Sequence, residues 1–294
     1  MRRHRPIGVA VLLAMVLGLQ ACASPRQLVL HQVADALAAQ GGADEEDLLL
    51  ARDAAPFYLK LSESLLQQTP GHVALAESVA RGFTQYAYAF VAFEADRIEG
   101  SDSRAALRLR ERAARLYGRA QQHALRALAQ AQPELRPWLA GQAPAPRIAP
   151  EHVGLAYWAA ASWSAMISLS KDRPDAVADL PQAVALASAA YQTDPAHGQG
   201  ALAALMGTLE AARPGGTPAQ ARAYFDRALS AAGASTTAVQ VAMAESLALP
   251  AGDRAAFERW LRQAQDAARG RADLGTRVLA ARAEWLLASI DDLF

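Results

Sequence analysis

Three sets of residues have the types and spacing to do chemistry. The first is a single thiol: Cys22, the only cysteine in 294 residues, closes the run Leu19, Gln20, Ala21, Cys22 after an apolar stretch. A lone cysteine behind small residues at the end of such a stretch is the layout of a bacterial lipobox, where a leader is cut and the sulfur acylated. Two or more acyl chains anchor a protein stably where one does not, so an acylated Cys22 would hold the chain at a membrane. With its one sulfur used in this way the chain has no disulfide, and packing must supply the stability.

The second set, Ser168, Leu169, Ser170 and Lys171, satisfies the SxxK nucleophile motif of penicillin-interacting enzymes. That chemistry needs the serine at the start of a buried helix, whereas Lys171 stands at a helix end just before Asp172 and Pro174. The context argues against an envelope hydrolase. Other catalytic groups are missing. The histidines His4, His31, His72, His123, His152 and His197 are scattered without metal-ligand spacing, and there is no glycine-rich phosphate loop or GxSxG elbow. The sequence therefore reads as a protein that is not an enzyme, with no metal and no cofactor.

The third set is aromatic. The stretch GFTQYAYAFVAFEAD at residues 82–96 carries Phe83, Tyr86, Phe90 and Phe93, which share one side of a helix of 3.6 residues per turn. Thr84, Tyr88, Val91, Ala95 and Ile98 form a second apolar side, with a narrow polar sliver at Gln85, Ala92 and Asp96. A helix apolar nearly all round must be covered on both sides, or cover one and line a cavity with the other. Glu94 falls on the ring side, where an isolated carboxylate is costly, and Arg97 is its local partner. Trp158 and Trp163 lie on the corresponding helix of the next pair. The expected ligand-binding residues are Phe83, Gln85, Tyr86, Tyr88, Phe90, Glu94, Trp158 and Trp163, facing a hydrophobic small molecule; the alternative is that the rings are plain core.

The elements that must position these residues are all helical. Hydrophobic content is 52%, Ala is the commonest residue, Arg greatly outnumbers Lys and Asn is absent, a bias toward helix formers. Apolar residues recur with helical period from Gln27 onward and nowhere alternate with the period of a strand. A formal net charge of +0 sets nucleic acid aside as a partner. Arg2, Arg3, His4 and Arg5 precede the apolar residues 7–19, a run too short to span a bilayer comfortably, so residues 1–21 read as a signal peptide. Residues 22–43 read as a lipid-anchored tether with a short helix, and 44–294 as one repeat domain.

Glycine and proline breaks divide that domain into helical pairs: residues 73–98 with 103–129, 151–169 with 175–191, 201–212 with 218–231, and 237–247 with 253–269, then a capping helix at 271–293. A tetratricopeptide-type hairpin needs a small residue, a ring four positions on and another small residue three further along its second helix. Ala113, Tyr117 and Ala120 fit, as do Ala221, Phe225 and Ala228; Ala183, Ala187 and Ala190 fit without the ring, and Ala256 with Trp260 is a weaker copy. The expected fold is an all-α, tetratricopeptide-like helical-hairpin solenoid. Pro133, Pro137, Pro144, Pro146 and Pro150 mark a loop or insertion. Asp44, Glu45, Glu46 and Asp47 read as a helix N-terminal turn, and Arg104, Arg108, Arg110, Arg112, Arg115 and Arg119 as solvated surface with some ion pairs.

With the lipobox, the repeats and the aromatic block together, the chain resembles the TatT family, the periplasmic lipoprotein T components associated with TRAP transporters. The likeness runs through residues 52–66, GFTQYAYAF, GGTPAQARAYFDRALSAAG at residues 215–233 and the ending AEWLLASIDDLF. It implies a helical-repeat solenoid, self-association as a trimer, an apolar passage lined by helices, and partnership with a TRAP solute-binding protein in uptake of a hydrophobic or organic-acid ligand. Pro137 to Pro150 departs from the family. Ser24 after Ala23 shows no inner-membrane retention aspartate, which favours an outer-membrane anchor facing the periplasm. A ligand-free scaffold in envelope assembly is the second reading; TRAP genes beside this one would favour the first.

Overall fold

The computed structural model describes residues 25–39 and 47–294; Cys22 and the acids Asp44, Glu45 and Glu46 lie outside them. Helices α1 (Pro25–Ala39) and α2 (Leu48–Gln68) come first. The first hairpin joins α3 (residues 73–98) to α4 (Ser103–Ala131), and the insertion holds the short α5 (Leu135–Leu139). The second joins α6 (Val153–Ser168) to α7 (Pro174–Ala178) and α8 (Leu180–Thr193). The third pairs α9 (Ala201–Ala212) with α10 (Pro218–Ala232), and the fourth α11 (residues 237–248) with α12 (Arg254–Ala268). The chain ends in α13 (Leu274–Ala288) and α14 (Ile290–Leu293). No strand occurs among the described residues.

Local chemistry sets the helix starts. The side chains of Asp47, Asp102, Thr217, Asp253 and Asp273 accept from backbone amides of the first turns of α2, α4, α10, α12 and α13, satisfying donors that have no partner within the helix. Pro218 then occupies a position where its missing N–H costs nothing. His72 does the same for α3, its Nδ1 accepting from Leu75 N at 3.2 Å while Nε2 lies 3.0 Å from Asp35 of α1.

The small-ring-small sites are where the helices meet. Ala113, Tyr117 and Ala120 of α4, Ala183, Ala187 and Ala190 of α8, and Ala221, Phe225 and Ala228 of α10 are all buried. The facing helix supplies the matching space: a Cβ on Gly207 of α9 would come within 2.9 Å of the Phe225 ring. Each hairpin packs through both its helices on the first helix of the next, α3 and α4 on α6, α6 and α8 on α9, and α9 and α10 on α11. Helix α13 packs on α11 and α12 and also reaches α2, so the end of the array touches its beginning.

Two features go beyond what the sequence reading specified. The insertion is not an open loop: buried Gln132 donates to the Arg147 carbonyl at 3.0 Å and accepts from Ala149 N at 3.2 Å, and Ile148 is fully buried under Thr193. The first helices of the first and fourth hairpins also contain π turns, at Ala87–Ala92 and Ala244–Ala248. Leu249 N bonds Ala244 O at 2.9 Å, five residues back. Each such turn takes up one extra residue, rotating everything after it by about 100° relative to an unbroken α-helix.

Candidate functional site

The first π turn splits the aromatic stretch into two environments. Before it, Phe83 is buried against His123, the rings stacked at 6.3 Å, with the Arg119 guanidinium 5.1 Å from its centroid. Tyr86 packs against Phe90 at 5.6 Å, and its hydroxyl accepts from Arg112 at 3.5 Å. After it, Phe93 leaves the other rings and meets Trp285 of α13 edge-on at 5.8 Å. Glu94, placed on the ring side by an unbroken helical wheel, is instead 47% exposed and lies 3.6 Å from Arg97. Asp96, expected in the polar sliver, is turned toward the C-terminal helix. The extra residue of the π turn accounts for both rotations.

The remaining candidate residues are spread out. Gln85 is exposed. Trp158 packs edge-on against Tyr157 at 4.8 Å. Trp163, five positions on along α6, belongs to a different cluster with Ile167 and Ala183 and donates its indole N–H to Asp179 at 3.3 Å. Ser168 is exposed at the end of α6, its hydroxyl bonded to the Ala165 carbonyl at 2.8 Å, not at the buried helix start that SxxK chemistry requires.

Where α3 meets α13, a polar seam forms that single-helix periodicity could not reveal. Arg282 bonds Asp96 at 2.6 Å and Glu245 of α11 at 2.6 Å, joining positions 186 and 37 residues away. Arg110 holds the other Asp96 oxygen at 3.3 Å and pairs with Glu99. The Arg282 guanidinium also lies 5.1 Å from the ring centroids of both Phe93 and Trp285. Burial works against charge on Arg282, but Glu245 and Asp96 outweigh it and raise its pKa.

Tyr88 and Tyr117 border this seam. They share an apolar cluster with Tyr86, Val91, Phe90 and Met166, and Tyr88 lies within electrostatic reach of Glu245, Arg282 and Asp96. Among the described residues neither hydroxyl has a hydrogen-bond partner. Among the described residues the fully sealed unpaired side-chain atoms are Thr237 Oγ1, Gln240 Oε1 and Arg271 Nε; the two phenol oxygens are not among them, although Tyr117 is buried and Tyr88 partly buried. Burial pushes both upward in pKa; they are neutral donors at any physiological pH. Two unpaired donors in aromatic and aliphatic surroundings are suited to hold the oxygen of an otherwise apolar molecule.

A second centre, between α2 and α4, is closed. Glu63 is 2% exposed and accepts from Lys60 Nζ at 2.6 Å, from His123 Nε2 at 2.7 Å and from two nitrogens of Arg119. Burial alone would raise its pKa; the hydrogen bonds from Arg119, Lys60 and His123 outweigh that and hold it at about 2. Arg110 and Arg119 thus bind the array together and are not merely solvated surface.

The stacked hairpins, buried small-ring-small sites and terminal capping helix define an all-α helical-repeat protein of the tetratricopeptide kind. Residues 44–294 match the family described as the TRAP transporter T-component, and the chain belongs to that family. It is 28% identical over 266 residues to a protein of Treponema pallidum (strain Nichols) described as uncharacterized, covering 85% of this chain and 81% of the relative. Among solved structures it is similar to a thermophilic TPR protein of Thermus thermophilus, with TM-score 0.49, 19% identity, and coverage of 87% of this chain and 99% of that one. No helix among the described residues is long and apolar enough to cross a membrane.

Proposed function

We propose that the protein is a lipid-anchored periplasmic accessory component of a TRAP-type transport system. It is tethered through Cys22, docks a solute-binding protein, and passes a hydrophobic or organic-acid ligand along the wall bordered by Tyr88, Phe90 and Tyr117 without catalysing a reaction. Membership of the T-component family over residues 44–294 is the observation that carries this reading. The unpaired phenols support the ligand step, because polar donors left without a partner amid apolar side chains are costly unless something pairs with them.

Self-association as a trimer draws support from α2, which exposes Leu50, Phe57, Tyr58 and Leu61. These positions recur at near-helical spacing, and an apolar face of that kind favours burial against protein. The decisive experiment is co-purification of the mature protein with a TRAP solute-binding protein encoded beside it. The reading expects a complex and release of Cys22→Ser from the membrane fraction. No complex, with a Cys22→Ser variant that stays membrane-bound, would refute it.

A further inference from the structure

We propose that the groove between α4, the insertion and α6 is a binding site for an amphiphilic monocarboxylate, separate from the wall at Tyr88 and Tyr117. Its cavity volume is about 450 Å³, within the roughly 300–1,000 Å³ of small-molecule sites. Leu125, Leu135, Leu139 and the buried Trp163 give it apolar walls, and the exposed Arg126 and Arg136 line it from the solvent side. Neither guanidinium has an ion-pair or hydrogen-bond partner among the described residues, and no carboxylate lines the cavity.

The acids nearby in the chain are engaged: Asp179 accepts the Trp163 indole N–H at 3.3 Å, and Glu134 accepts from Gln132 at 3.4 Å. A planar guanidinium free of intramolecular acids matches a carboxylate in two-point geometry, and two of them over an aromatic wall select a molecule with an apolar body and one anionic end. The insertion that supplies Leu135, Arg136 and Leu139 is fastened down by Gln132 and Ile148, so the groove is built before a ligand arrives. The comparable cavity of about 470 Å³ at Leu48, Arg269, Arg277 and Glu284 lacks this character, since Glu284 shares its wall and Arg277 is already engaged.

The test titrates the mature protein with decanoate, and with decanol as the uncharged counterpart, by calorimetry and tryptophan emission. Decanoate should bind saturably with a change in emission that Trp163→Phe removes. Decanol, and decanoate with the Arg126→Gln, Arg136→Gln variant, should each bind at least tenfold more weakly. An Arg269→Gln variant, altered in the other cavity, should bind decanoate like the parent. Absence of decanoate binding, equal binding by the Arg126→Gln, Arg136→Gln variant, an emission change surviving Trp163→Phe, or an equal loss of binding in Arg269→Gln would each overturn the proposal.

Discussion

The Glu63 centre and the Arg282 seam use the same ingredients to opposite ends. At Glu63 one carboxylate is sealed beneath three donors, all between elements close in the array. At the seam one arginine, 12% exposed, is divided between two acids that each keep more than a quarter of their surface open, and two tyrosines beside it keep unpaired hydroxyls. A polar group deep in a core must be fully paired or it destabilises the fold. The first centre obeys that rule completely, as a structural joint does. The second leaves donors unspent where the two ends of the array meet, which is what the proposed ligand wall requires.

Glu63→Ala tests the sealed centre with the largest expected effect. A buried, multiply bonded carboxylate held at about 2 against an ordinary 4.5 stabilises the fold by about 3 kcal/mol at neutral pH. Denaturant melts should show a loss of that order. Because the folded-state pKa lies below the unfolded one, this contribution is full above about pH 4.5 and disappears as pH falls toward 2. The parent should therefore lose more stability than Glu63→Ala across that window, and parallel acid titrations of the two proteins would expose the comparison as false.

Arg282→Ala should cost less, about 2 kcal/mol, since its partners keep over a quarter of their surface open and can regain water. Its signature is location: hydrogen exchange should quicken in α13 and in residues 93–98 while α8 and α9 keep their protection. Uniform loosening would mean the seam is an ordinary core contact. Smallest in stability is Tyr88→Phe with Tyr117→Phe. Removing hydroxyls that bond to no protein group should leave the melting curve within about 0.5 kcal/mol of the parent, and a larger loss would show that the phenols are structural after all.

Much of the fold is legible in the sequence because its rules are local. Proline and acid caps mark helix starts, and Ala113, Tyr117, Ala120 and Ala221, Phe225, Ala228 mark the second helices of hairpins, where small residues let a neighbour approach. The site is legible only up to Tyr86. A helical wheel assumes 3.6 residues per turn, and the π turn at Ala87–Ala92 breaks that assumption in the middle of the aromatic block, so an unbroken wheel puts Phe93, Glu94 and Asp96 on the wrong sides. Arg282 and Glu245 sit 186 and 149 positions from Asp96 in the sequence and carry no local signal of their partnership. Trp158 and Trp163 look equivalent as rings on one helix, yet five residues set them on different faces of α6.

The most direct measurement is mass spectrometry of small molecules extracted from the purified mature protein, parent against Tyr88→Phe, Tyr117→Phe. With two hydrogen bonds to ligand oxygen removed and the fold intact, the variant should retain about tenfold less of a hydrophobic or organic-acid molecule than the parent. Equal retention by the two proteins, or an empty parent, would contradict a ligand wall at Tyr88 and Tyr117.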